Sequence, residues 1–126
     1  MTTDKLVVAI VDDDESVRES LPDLVMAYGY AVRAFASAAA FLASPGIGDT
    51  AYLIVDVAMP DMSGPDLRRE LATRGLQIPT IFITACRDDS LRQRLLAQGA
   101  VACLFKPFND TELLQALKAA TSSSTD

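Results

Sequence analysis

An α/β fold built on a mostly parallel sheet is predicted by three features of this 126-residue chain. Short apolar runs of strand length alternate with segments whose apolar residues recur at helical spacing. Two of the runs, around Val8 and Val55, are apolar throughout, as in strands covered on both faces. Punctuation agrees with the alternation, because the helix-period segments begin at capping residues or end at glycine.

The first strand is expected over Leu6–Val11, followed by a helix whose face carries Val17, Leu21, Leu24, Val25 and Tyr28. Pro22 lies inside that stripe and lacks a backbone donor, so a kink or an opened turn is expected there. The second strand centres on Ala31–Val32 in "YAVRAF"; it is the least apolar run and suits an edge. Ser37 then caps a short Ala-rich helix carrying Phe41 and Leu42. The third strand, Tyr52–Val55, runs straight into Asp56 and a loop containing Pro60, Ser63, Gly64 and Pro65. Leu67 and Leu71 mark the next helix, stopped by Gly75, and Thr80–Ile83 is the fourth strand. Leu91 and Leu95 mark a helix stopped by Gly99, before a fifth strand over Val101–Phe105. Asn109 and Glu112 form a capping box for a last helix bearing Leu113, Leu117 and Ala120. The final "TSSSTD" has no apolar pattern. A single domain over 1–126 is expected, with its core at about 5–120 and a loose tail over 121–126.

Composition narrows the chemistry. With half its residues apolar, the chain can bury a core, and its net charge of −6 disfavours direct binding of a nucleic-acid backbone. It has no histidine, which removes histidine general bases and His-ligated zinc. Cys86 and Cys103 have no metal or disulfide spacing and read as free thiols of a reducing compartment. The amino-terminal apolar stretch is too short for a signal peptide, and no stretch suits a membrane span. A cytoplasmic location without membrane attachment is therefore expected.

Open parallel sheets bind ligands beyond the carboxyl ends of their strands, so the residue after each strand is informative. These positions hold Asp12, Asp13 and Asp14 after the first strand, Asp56 after the third, Thr84 after the fourth, and Lys106 with Pro107 after the fifth. Taken singly, each is an ordinary turn, cap or surface residue. Together they place acids, a hydroxyl and an ammonium on one rim, which no core requires. Clustered carboxylates resist ionising together, and a divalent cation relieves the repulsion. Hard oxygen donors suit Mg²⁺, and a carboxylate beside it can attack phosphorus while a hydroxyl and an ammonium hold the phosphoryl oxygens. Asp56 is the candidate phosphoacceptor.

The motifs "IVDDDESVRESL", "LIVDVAMPDMSG", "IFITA" and "LFKPF" resemble those of response-regulator receiver domains of two-component signalling, over about Lys5 to Ala120. The pattern is most similar to FixJ-type receivers, which usually precede a helix-turn-helix output domain. The resemblance implies a flavodoxin-like doubly wound fold of five strands in the order 2-1-3-4-5 with five helices. It implies that Asp12 and Asp13 hold Mg²⁺ together with Asp56 and the backbone carbonyl of Ala58. It further implies phosphorylation of Asp56, a switch hydroxyl at Thr84, a phosphoryl-pairing ammonium at Lys106 and a cis peptide before Pro107. The implied partners are a sensor histidine kinase or phosphotransfer protein, with homodimerisation as an outcome of phosphorylation. The implied activity is self-catalysed phosphotransfer and slow autodephosphorylation, without an enzymatic turnover of its own. Cys103 departs from the pattern, standing where the family usually has a switch tyrosine or phenylalanine. Phe105 shares its strand face and is a candidate substitute for that ring.

Other readings remain open at this level. Asp12-Asp13-Asp14-Glu15-Ser16 is similar to the Asp-x-Asp-x-Thr of haloacid-dehalogenase-like phosphatases, in which Asp12 would be the nucleophile, although serine replaces threonine. A flavodoxin-like nucleotide binder would need a Gly-rich phosphate loop where three acids stand. A receiver-like interaction module that does not switch is favoured only by the missing aromatic at Cys103.

Overall fold

The computed structural model describes residues 5–124. Strands β1 (Val7–Val11), β2 (Ala31–Phe35), β3 (Thr50–Asp56), β4 (Thr80–Thr84) and β5 (Ala102–Phe105) alternate with helices α1 (Glu15–Ala27), α2 (Ala38–Leu42), α3 (Gly64–Thr73), α4 (Asp89–Ala97) and α5 (Asp110–Ser124). The sheet is parallel throughout, in the order β2-β1-β3-β4-β5. This is the flavodoxin-like topology expected, with the second strand at an edge.

Side-chain alternation along the strands divides the core into two layers. Val8, Ile10, Ile54 and Ile83 face α1 and α5, which contribute Leu21, Val25, Leu113 and Leu117. Ala9, Val11, Leu53, Val55 and Phe82 face α2, α3 and α4, which contribute Phe41, Leu67, Leu71 and Leu95. β4 is as completely buried as β1 and β3. The chain leaves β1 for one edge and returns to β3 on the other side, so the topological switch lies between the carboxyl ends of β1 and β3.

Local chemistry fixes the helix ends. Asp14, Ser37, Ser63 and Asp88 accept backbone N–H groups as amino-terminal caps. Asn109 and Glu112 exchange bonds of 2.8 and 3.0 Å in the expected capping box. Gly75 has φ +77° and passes the chain out of α3, with Leu76 N–H donating back to the Leu71 carbonyl at 2.8 Å.

Three details differ from expectation. α1 continues through Pro22 without interruption. A single 3₁₀ turn, Ile47–Asp49, precedes β3. α5 extends past Ala120 to Ser124, into the segment expected to be loose. The Thr121 hydroxyl donates to the Leu117 carbonyl and accepts from the Tyr52 hydroxyl, which docks this last turn on β3. Residues 125–126, the rest of the expected tail, lie outside the described residues.

Candidate functional site

The residues singled out at the strand ends converge at the switch point. Asp12 continues the β1–β2 ladder by donating its N–H to the Phe35 carbonyl at 3.0 Å, and it is wholly buried. Its Oδ1 accepts the Asp14 N–H at 2.9 Å, and its Oδ2 accepts Lys106 Nζ at 3.0 Å. Arg18, one turn into α1, donates to the Asp12 carbonyl at 2.9 Å. Asp14 caps α1 through the Ser16 N–H and hydroxyl, bonds that hold its own carboxyl below the usual range.

Asp56 ends β3 with only 7% of its surface exposed, and Lys106 Nζ lies 3.7 Å from its Oδ2. Asp13 is exposed, and ligand oxygens of Asp12, Asp13 and Asp56 lie within 4.8 Å of one another. Burial and then the charge of Asp12 push the Asp56 carboxyl up, partly offset by Lys106 and the Ala58 N–H. Burial acts to lower the Lys106 pKa, but its bond to Asp12 and the charges of Asp12, Asp56 and Asp14 raise it. One ammonium thus faces more negative charge than it can neutralise, and an acidic pocket results.

Thr84 ends β4, is buried, and accepts the Cys86 N–H at its Oγ1 at 3.0 Å. The Lys106 N–H donates to the Thr84 carbonyl at 2.8 Å, which ties the hydroxyl and the ammonium to one ladder. The Lys106–Pro107 peptide is cis. Cys103 is buried beneath α4, and burial pushes its thiol up. Phe105 is partly exposed, with the Arg87 and Arg92 guanidinium carbons 5.7 and 5.3 Å from its ring centroid.

Two contributors escape a reading of the sequence. Arg18 steadies the Asp12 backbone from a helical position that looks like any solvated arginine. Gly64 opens α3 against the site: a Cβ there would lie 2.5 Å from the Asp56 carbonyl oxygen. The "SGPD" composition marks a helix start, but only the tertiary fold shows the close approach.

The comparisons agree with this geometry. Residues 8–118 match the family model of the response regulator receiver domain. Response regulator protein TmoT of Ectopseudomonas mendocina is 42% identical over 120 residues, covering 95% of this chain and 54% of the relative. Transcriptional regulatory protein FixJ of Rhizobium meliloti is 40% identical over 114 residues, covering 90% of this chain and 56% of the relative. The chain thus spans about half the length of these curated relatives. The crystal structure of FixJ-N superposes with a TM-score of 0.84 at 38% identity, covering 100% of this chain and 99% of that one. Strand order, the acidic pocket of Asp12, Asp13 and Asp56 beside Lys106, and the family match over both converge on one conclusion: this chain belongs to the response regulator receiver domain family.

Proposed function

We propose that the chain is a phosphoacceptor switch in which the Asp56 carboxylate takes a phosphoryl group from a phosphohistidine on a kinase or phosphotransfer protein. The unequal setting of the acids carries this reading. Asp12 is sealed in the interior with one oxygen on a backbone N–H and the other on Lys106, whereas Asp56 stands at the rim. That difference favours Asp56 over Asp12 as nucleophile, and so favours the receiver reading over a phosphatase reading.

The donor set fits Mg²⁺: three carboxylates of hard oxygen, two of them buried, beside one ammonium. Asp12, Asp13 and Asp56 would hold the ion, with the Ala58 carbonyl as the expected backbone ligand. Mg²⁺ would supply charge neutralisation at the phosphoryl oxygens. An Asp56 carboxylate oxygen forms the new P–O bond as the P–N bond breaks, and that bond's electron pair returns to the imidazole nitrogen of the donor. Lys106 is placed to pair with a phosphoryl oxygen, and Thr84, whose oxygen is oriented by the Cys86 N–H, keeps its own proton free to donate to another. Slow attack by water returns the carboxylate. Phosphorylation biases an existing conformational equilibrium and alters the face offered to partners, with homodimerisation as one output.

Among the described residues no helix is long and apolar enough to cross a membrane; a cytoplasmic setting is part of the proposal. The test is incubation with Mg²⁺ and acetyl phosphate or phosphoramidate, followed by mapping of the modified residue. Label on Asp56 that is lost in Asp56→Asn is expected; label retained in that variant would overturn the assignment.

A further inference from the structure

Arg68 is a half-buried cation outside the acidic pocket. From α3 it reaches the turn between α4 and β5, where its Nη1 donates to the Gln98 carbonyl at 2.9 Å. Its Nη2 lies against Gly99, where an added Cβ would sit 3.0 Å from that nitrogen, so the glycine makes the guanidinium's seat. A guanidinium carries several N–H donors, and this single bond leaves most of them free. Its neighbours differ: Arg69 pairs with Asp66, and Arg74 pairs with Glu70 at 3.0 Å. Among the described residues no carboxylate pairs with Arg68. Burial lowers its pKa, which marks a cation partly removed from water with no counter-charge beside it.

The same guanidinium lines a cleft of about 760 Å³, within the span of about 300–1,000 Å³ usual for small-molecule sites. Leu76, Ile78 and Val101, each partly exposed, supply apolar wall. The cleft flanks the amino-terminal ends of β4 and β5, at the opposite end of the strands from Asp56. An unpaired guanidinium beside an apolar wall selects an anion that carries an apolar body, because each half of such a ligand satisfies one half of the cleft.

We propose that this cleft is a second binding site, for a small organic carboxylate with an apolar body. The carboxylate meets the free N–H groups of Arg68, and the body lies along Leu76 and Ile78. The site does not depend on phosphoryl chemistry at Asp56.

The test uses 2-naphthoate as the probe, followed by its fluorescence anisotropy and by amide NMR shifts of the protein. Saturable binding is expected, with shifts over Leu76–Ile78 and Gln98–Val101. Arg68→Gln should weaken it at least about tenfold, the loss of a charge-assisted contact. Acetate, which lacks the body, and 2-naphthalenemethanol, which lacks the charge, should both bind more weakly. Ala72→Trp, at an exposed position of the cleft wall, should block the site with the fold intact. It keeps the proposal testable if Arg68→Gln does not fold. Absence of saturable binding, equal binding to Arg68→Gln or Ala72→Trp, equal binding of the alcohol, or shifts centred on Asp12–Asp14 and Lys106 would each overturn the proposal.

Discussion

At the scale of single residues, Asp56 is held where its charge is least welcome. Burial and the neighbouring Asp12 raise its pKa above the ordinary 3.8, so the folded state keeps this proton to a higher pH than the unfolded chain does. Its contribution therefore favours folding in acid and is lost as pH rises from 3.8 through the raised value. Asp56→Asn should consequently be more stable than the native protein at pH ~7 in EDTA, by on the order of 1 kcal/mol, because Lys106 and the Ala58 N–H already offset part of the penalty. That advantage should shrink toward pH ~3.5, where the Asp56 carboxyl is largely protonated in the folded protein and partly so in the unfolded chain. Urea unfolding at the two pH values measures it, and an advantage that is flat with pH would sever it from the carboxylate's charge. Lys106 has the opposite effect at neutrality. Its raised pKa gives stability that is full below the ordinary 10.5 and lost only as pH climbs through the folded value. Lys106→Met leaves the wholly buried Asp12 without its cation and should cost about 2 kcal/mol at pH ~7. The figure is below that of a fully buried pair because the Lys106 side chain is 21% exposed. In the Asp56→Asn background the cost should fall, since the two sites share one charge network.

At the scale of elements, the site depends on how α3 meets the end of β3. Gly64 N–H donates to the Val57 carbonyl at 3.0 Å, and the helix begins directly over the Asp56 backbone. Gly64→Ala must push α3 away or twist Asp56, and should destabilise by roughly 1–3 kcal/mol while slowing labelling by acetyl phosphate. Denaturant unfolding and label incorporation read the two effects together; loss of stability with unchanged labelling would confine Gly64 to packing. This contact also shows where the sequence stops being legible. The caps at Ser37 and Asn109 could be read because their partners lie within three residues along the chain. The strand ends could be read because a parallel sheet brings them to one rim whatever the helices do. Arg18 on the Asp12 carbonyl and Gly64 against Asp56 bridge a loop between two elements, and Thr121 on Tyr52 joins residues 69 apart; none follows from a cap or a helical repeat. The extra turn of α5 has a physical cause too: a helix already nucleated and docked extends at little cost through residues with no apolar stripe of their own.

At the scale of the whole molecule, the proposed switch requires a phosphoryl group at one rim to alter a surface elsewhere, and with Cys103 in β5 the expected route does not run through an aromatic ring there. Cys103 is register partner to Phe82 and is buried beneath α4. A side chain of this size has no ring to move into space vacated by Thr84. Phe105 sits opposite Thr84 in the β4–β5 ladder and lies under Arg87 of the β4–α4 loop and Arg92 of α4. A Thr84 hydroxyl drawn toward a phosphoryl oxygen would pull on the Cys86 N–H that it accepts, and the next contact along that loop is Arg87 on Phe105. Each cation–π contact at such an exposed site is worth about 0.5–1 kcal/mol, enough to shift the loop's equilibrium without fixing it. Amide exchange with and without beryllofluoride should therefore change most over 85–90 and at Phe105, and less over Leu113–Leu117. Phe105→Ala should shrink the loop's response, because Arg87 then has no ring to leave. Cys103→Tyr should spread the response to α5 if the ring is accommodated, at an overpacking cost of roughly 1–3 kcal/mol. Strong beryllofluoride-dependent changes across Val101–Leu104 and Leu113–Leu117 in the native protein would show instead that the signal crosses β5 without an aromatic at Cys103, through the backbone bond from Lys106 to Thr84.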